Sequence, residues 1–95
     1  MAKLTATQIK TALPRIPAWK KKNATIHRTY EFTNFVAAMT FVNRTARLAE
    51  KACHHPDIDI RWNRVTLFLS THDEGGLTEK DFALAEKLEQ AADSK

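Results

Sequence analysis

The chain has 95 residues, 43% apolar and 27% charged, which fits one domain with one modest core and excludes a disordered or repeat-built protein. Net charge is +4, but the basic residues are scattered rather than striped, so direct nucleic-acid binding is not expected. The only cysteine, Cys53, excludes an internal disulfide and points to a reducing, cytoplasmic setting, and neither a leader-like segment nor an apolar run near the roughly 18 residues of a membrane span is evident.

Residues 5–13, TATQIKTAL, predict a short helix that stops before Pro14, because a residue preceding proline is pushed out of the helical region. Pro14 to Pro17 reads as a connector. Trp19 to Lys22 reads as a short strand, with the run Lys20, Lys21, Lys22 more simply taken as a solvated turn. After a turn at Asn23, TIHRTYEF alternates with period two, Ile26, Arg28, Tyr30 and Phe32 on one side and Thr25, His27, Thr29 and Glu31 on the other. That is a strand pattern.

Thr33 is expected to cap an amphipathic helix of about twenty residues, in which Phe35, Met39, Val42, Ala46, Ala49 and Cys53 form an apolar stripe widened by Val36 and Ala38. Pro56 ends it, which puts His54 and His55 at its C-terminal end. Ile58, Ile60 and Trp62 then alternate with Asp57, Asp59 and Arg61. A tight link through Asn63 leads to RVTLFLST, where Val65, Leu67 and Leu69 face one way and the strand runs on toward His72. The pair reads as a hairpin. In the loop DEGG, Gly75 and Gly76 are expected to supply unusual backbone angles. Thr78 to Asp81 resembles a capping box, opening a last helix that buries Phe82, Ala85, Leu88 and Ala92, supported by Leu84 and Ala91. The predicted fold class is α+β: a single domain over residues 1–95, with a four-stranded antiparallel sheet and about three helices packed on one face. The other face, or an edge, stays open for assembly.

Two element ends thus carry histidine, His54 and His55 at one and His72 at the other. Imidazole has the side-chain pKa nearest neutrality, about 6.5. A zinc site from Cys53, His54, His55 and His72 is disfavoured, because three consecutive residues do not converge on one ion. A second reading is structural, since imidazoles favour a helix C-terminus when charged. The third is general acid–base chemistry by paired imidazoles. Cys53 lies in the apolar stripe and reads as core rather than nucleophile. Glu50 precedes His54 by one turn and is placed to orient it. Asp57, Asp73 and Asp81 are expected close by. The residues themselves take the reading as far as a histidine-rich cleft suited to acid–base work.

The spacing Glu50-x3-His54-His55-Pro56-x5-Trp62-x9-His72-x8-Asp81 resembles the signature of the pterin-4a-carbinolamine dehydratases. This family includes the dimerisation cofactor of a hepatocyte transcription factor. The segment STHDEGGLTEKD, residues 70–81, is similar to the family's usual loop, and Trp19 before an alternating strand, with Phe32 and Phe35 at a helix start, agrees. Ala18 departs from the glycine that members often carry before that tryptophan. The resemblance covers nearly the whole chain.

It implies dehydration of 4a-hydroxytetrahydrobiopterin to quinonoid dihydropterin and water, in tetrahydrobiopterin recycling, with no cofactor and no metal. It implies His54 and His72 as the acid–base pair, and His55 as a third catalytic or pterin-orienting group. Glu50 would tune His54, and Cys53, Ser70, Thr71 and Asp73 would line the pterin slot. Pro56 would shape the turn, and Trp19 would offer a flat wall to the ring. Asp81 divides between a site role and a cap for Thr78, and Trp62 reads as core or interface. The resemblance also implies a homodimer or homotetramer. The alternative is a non-catalytic dimerisation cofactor for a protein partner such as a transcription factor. A hydroxylase is a further possible partner; nucleic acid and membrane are not expected.

Overall fold

The computed structural model describes residues 2–93, so Met1 and residues 94–95 of the expected domain lie outside the described residues. Thr5 opens the first helix, Ala6–Ala12 (α1). Its hydroxyl accepts from Gln8 N at 3.2 Å, while its own N–H donates to Gln8 Oε1 at 2.8 Å, a reciprocal capping box. The helix is not simply cut off at Pro14. Leu13–Arg15 tighten into a 3-10 turn with proline in its first positions, where the missing N–H has no partner to lose.

Lys20–Lys22 form an edge strand (β1) rather than a solvated turn, paired antiparallel with Thr25–Glu31 (β2) across a left-handed Asn23. All three lysines are exposed, and charged side chains on an edge discourage pairing with other chains. Asn34, not Thr33, caps the long helix Phe35–Ala52 (α2), its Oδ1 accepting from Ala37 N at 2.9 Å. Both residue types cap well, and here Asn34 is the one with extended backbone beside the first turn. The buried stripe of α2 is Ala38, Phe41, Thr45 and Ala49. It is rotated from the expected stripe, leaving Phe35 and Val36 48% and 73% exposed.

Asp57–Arg61 (β3) and Arg64–Leu69 (β4) form the second hairpin through Trp62 and Asn63. The turn is tied to the rest of the sheet by Phe32 N donating to Asn63 O at 2.8 Å and Asn63 Nδ2 donating to Phe32 O at 2.9 Å. β4 stops at Leu69, short of His72, which instead opens a 3-10 turn, His72–Glu74. Only one of the two glycines that follow takes a left-handed backbone, Gly75 with φ 72°. The last helix is Glu79–Asp93 (α3).

The sheet order is β1-β2-β4-β3, antiparallel throughout. Register sets Ile26 opposite Leu69 and Tyr30 opposite Val65, so the apolar parity of both strands faces the helices. Against it pack Phe41 from α2 and Phe82, Ala85 and Leu88 from α3. Phe41, Phe82 and Leu88 each contribute about 1.5–3 kcal/mol on full burial. At the C-terminal part of α3, Glu89 accepts from Trp19 Nε1 at 2.8 Å and from the Tyr30 hydroxyl and the Arg28 guanidinium. Burial pushes the Glu89 carboxyl up, but the three donors outweigh it and hold the group below the usual carboxylate range. Burial, and then the neighbouring carboxylate, push the Tyr30 phenol far above its ordinary value. Among the described residues, no helix is long and apolar enough to cross a membrane.

Candidate active site

The C-terminus of α2, the end of β4 and the start of α3 meet at one end of the sheet. Local backbone chemistry there is unusual. Cys53 caps α2 in the left-handed conformation, φ 53°, which few residues other than glycine adopt. The N–H of Cys53 donates to Glu50 O at 3.2 Å and that of His54 to Ala49 O at 3.1 Å, so two of the last four carbonyls are satisfied. Cys53 is therefore exposed on the turn and not part of the core stripe. The apolar periodicity that reaches Cys53 runs past the helix, which ends at Ala52.

That turn sends the two neighbouring histidines apart. His54 folds inward, its side chain 11% exposed, and its Nε2 lies 2.6 Å from Asp81 Oδ1. His55 points outward and pairs with Glu50. Glu50 thus partners His55 and not His54, because the left-handed residue between them reverses which imidazole lies over the last helical turn. Both members of the Glu50–His55 pair are exposed, and such pairs contribute about 0–1 kcal/mol.

Asp81 is fully buried. Its Oδ2 accepts from Thr78 N at 2.9 Å and from the Thr71 hydroxyl at 2.8 Å, while Oδ1 faces His54. The Thr71 and Thr78 hydroxyls are 2.9 Å apart, and Thr78 Oγ1 accepts from Lys80 N at 3.2 Å. Asp81 thus makes two kinds of contact: one carboxylate oxygen caps the helix and the other meets a histidine. An ionised carboxylate only accepts, so in this pair His54 Nε2 is the donor.

Beside this network lies a cleft of about 280 Å³ lined by Cys53, His54, His55, Ser70, Thr71, His72, Asp73 and Lys80. The structure therefore brings together all three histidines and the slot residues expected from both element ends. His55, Ser70 and His72 also border a smaller hollow against Phe68. Ser70 is anchored by donating its hydroxyl to Ala24 O at 2.7 Å. Pro56 follows the histidines at the start of the run into β3 and does not line the cleft. Asp81 lies behind His54, and Glu50 outside on His55. Trp19 offers no wall to a ring here. It is 4% exposed, set edge-on to Tyr30 and bonded to Glu89, and it lines none of this cleft. Trp62 is neither core nor cleft, being 65% exposed in a left-handed turn position. Lys80 also lines the cleft, and the sequence signal for it is its place two residues after the capping Thr78, in the first turn of α3. A larger hollow, about 620 Å³, opens at the other end of α2, but no histidine lines it, so size alone does not mark the chemistry.

Residues 2–91 match the family model of pterin 4 alpha carbinolamine dehydratase. The chain belongs to that family. It is 58% identical over 89 residues to a provisionally named pterin-4-alpha-carbinolamine dehydratase of Acidobacterium capsulatum, covering 94% of this chain and 97% of the relative. A like-named protein of Thermomicrobium roseum is 54% identical over 92 residues, with 97% and 99% covered. Among solved structures, a transcriptional coactivator/pterin dehydratase from Brucella melitensis superposes with a TM-score of 0.91 at 36% identity, covering 95% of this chain and 98% of that one. The fold of this pterin 4 alpha carbinolamine dehydratase family member, three helices over a four-stranded antiparallel sheet, is accordingly shared along nearly its full length.

Proposed function

We propose that this chain dehydrates 4a-hydroxytetrahydrobiopterin to quinonoid dihydropterin and water, in tetrahydrobiopterin recycling, as a carbon–oxygen hydro-lyase. The observation that carries the reading is three imidazoles on one cleft in a chain of this family. In a carbinolamine, hydroxyl and ring nitrogen share one carbon. The carbon–oxygen bond breaks as the hydroxyl takes a proton and leaves as water, and the nitrogen loses its proton to a base. His54 suits the base: it lines the cleft, Asp81 holds its Nε2 side, Nδ1 takes the proton, and the carboxylate stabilises the imidazolium formed. His72, exposed across the cleft, suits the acid, and His55 orients the ring. Acid–base catalysis contributes roughly 10²–10⁴-fold, enough for a reaction that already proceeds in water. The exposed, unpaired Cys53 fits the cytoplasmic setting that goes with this role. The test is the decay of 4a-hydroxytetrahydropterin absorbance with and without protein. Acceleration is expected. A folded protein that leaves the rate unchanged would refute the reading and move it to the partner-binding alternative that the Brucella protein's coactivator name suggests.

Self-association belongs to the same proposal. Phe35 and Val36 on α2 are exposed, as are Ile58, Ile60 and Trp62 on and beside the edge strand β3, at 39%, 38% and 65%. Apolar surface of this kind, next to an unpaired strand edge, is ordinarily covered. A homodimer or homotetramer with closed symmetry is expected. Light scattering at micromolar protein should report at least twice the chain mass, and Trp62→Asp should move it toward the monomer. A monomer alone in the unmutated protein would overturn this part.

A further inference from the structure

A second, smaller hollow of about 150 Å³ adjoins the histidine cleft, and His54 and Lys80 line both. Its wall is apolar, from Ala52, Ala83 and Leu84, and Lys87 stands at its far side. Lys80, Ala83, Leu84 and Lys87 follow the spacing of one helix face, so α3 presents this wall between two cations.

Those cations lack the acids that surface lysines usually have. The positions three and four residues either side of Lys80 and Lys87 hold Gly76, Leu77, Ala83, Leu84, Gln90 and Ala91, none of them acidic. The one acid lining the hollow, Glu79, is held by Arg15 through both oxygens, at 2.9 and 2.8 Å. Neither lysine side chain has an ion-pair partner among the described residues. Asp73 faces the main cleft and not this hollow. Lys80 also sits in the first turn of α3, where the helix dipole adds to the positive field.

We infer that this hollow is a specificity subsite for an anionic group carried on the side chain of the pterin, with Lys80 and Lys87 as its counter-charges. The inference rests on the reading of the histidine cleft as the site of the pterin ring. A ring held against His54 has its side chain within reach of a pocket that shares His54. An apolar wall between two unpaired ammonium groups suits a short carbon chain ending in a phosphate ester or a carboxylate. A neutral polyol gains nothing from either lysine.

The test is equilibrium binding by calorimetry of three stable oxidised pterins to the full chain: one with a neutral dihydroxypropyl side chain, its phosphate ester, and one ending in a carboxylate. The anionic pterins should bind more tightly than the neutral one, the phosphate ester by about tenfold, the sum expected of two exposed ion pairs. The advantage should shrink as salt is raised. The double variant K80Q/K87Q should abolish it, and K87Q alone should reduce it, while both variants keep the circular dichroism of the parent. The phosphate and carboxylate arms separate the two sources of negative charge. Equal affinity for all three pterins, an advantage that survives in both variants, or no binding of any of them would overturn the inference. If the neutral 4a-hydroxytetrahydropterin is dehydrated with no preference between side chains, only the subsite fails. If no pterin is bound or turned over, the reading beneath it fails too.

Discussion

His54→Ala should slow dehydration by roughly 10²-fold, and His72→Ala by about 10-fold or more, both within the range of one lost acid–base group. The two are unequal because their surroundings are. His54 is nearly enclosed and tethered by a 2.6 Å contact to a buried carboxylate, so its Nδ1 has one position and no ready substitute. His72 is exposed in a 3-10 turn, where water can take over part of its proton delivery. His55→Ala should raise KM more than it lowers kcat, because an exposed imidazole paired to Glu50 is placed to hold the ring. Losses in the double variant of His54 and His72 should fall short of additive, since acid and base act in one step. Steady-state kinetics with a parallel binding measurement for an unreactive pterin separates the effects. Wild-type kcat in both His54→Ala and His72→Ala would remove the acid–base assignment while leaving the cleft as a binding site.

The strands were readable because period two is a strong signal when β-branched and aromatic residues carry it, and Ile26, Tyr30, Val65, Leu67 and Leu69 are all buried as that pattern requires. α2 was readable as a helix but not as an oriented one. Apolar residues cover more of its circumference than the core takes up, so periodicity could not tell the buried edge, Ala38 and Phe41, from the exposed one, Phe35 and Val36. At the site, adjacency and proximity were legible and direction was not. That His54 and His55 diverge depends on a single left-handed residue, Cys53, whose type gives no hint of it. The family resemblance implies a Trp19 wall beside the pterin, whereas its position follows from Tyr30 and from Glu89, 70 residues away. The link from Thr71 through Asp81 to His54 joins three elements and has no sequence pattern of its own.

That link makes Asp81 the position where fold and chemistry separate most cleanly. Asp81→Ala should destabilise the protein by about 3–5 kcal/mol, the cost of breaking a buried charged network from one side. The Thr71 hydroxyl and the Thr78 N–H, both buried, would each lose an acceptor. For a domain of this size, the melting temperature should fall by more than about 10 °C. Asp81→Asn should behave differently. The amide keeps the shape, and its oxygen can still accept from Thr78 N and Thr71, so the cap survives and the loss of stability should be about 1–2 kcal/mol. Its NH2 group, however, then faces His54 Nε2 and can only donate. The imidazole must turn Nε2 into the acceptor and move its hydrogen to Nδ1, the atom that the proposed mechanism uses as base. With that hydrogen on it, Nδ1 has no lone pair to take the substrate's proton, and the lone pair on Nε2 is occupied by the amide. Dehydration should therefore drop by about 10²-fold in a protein whose melting temperature falls by about 4–16 °C, less than in Asp81→Ala. Calorimetry and the absorbance assay on the two variants decide the matter. If Asp81→Asn is both stable and fully active, Asp81 is a helix cap and nothing more, and His54 works without its help.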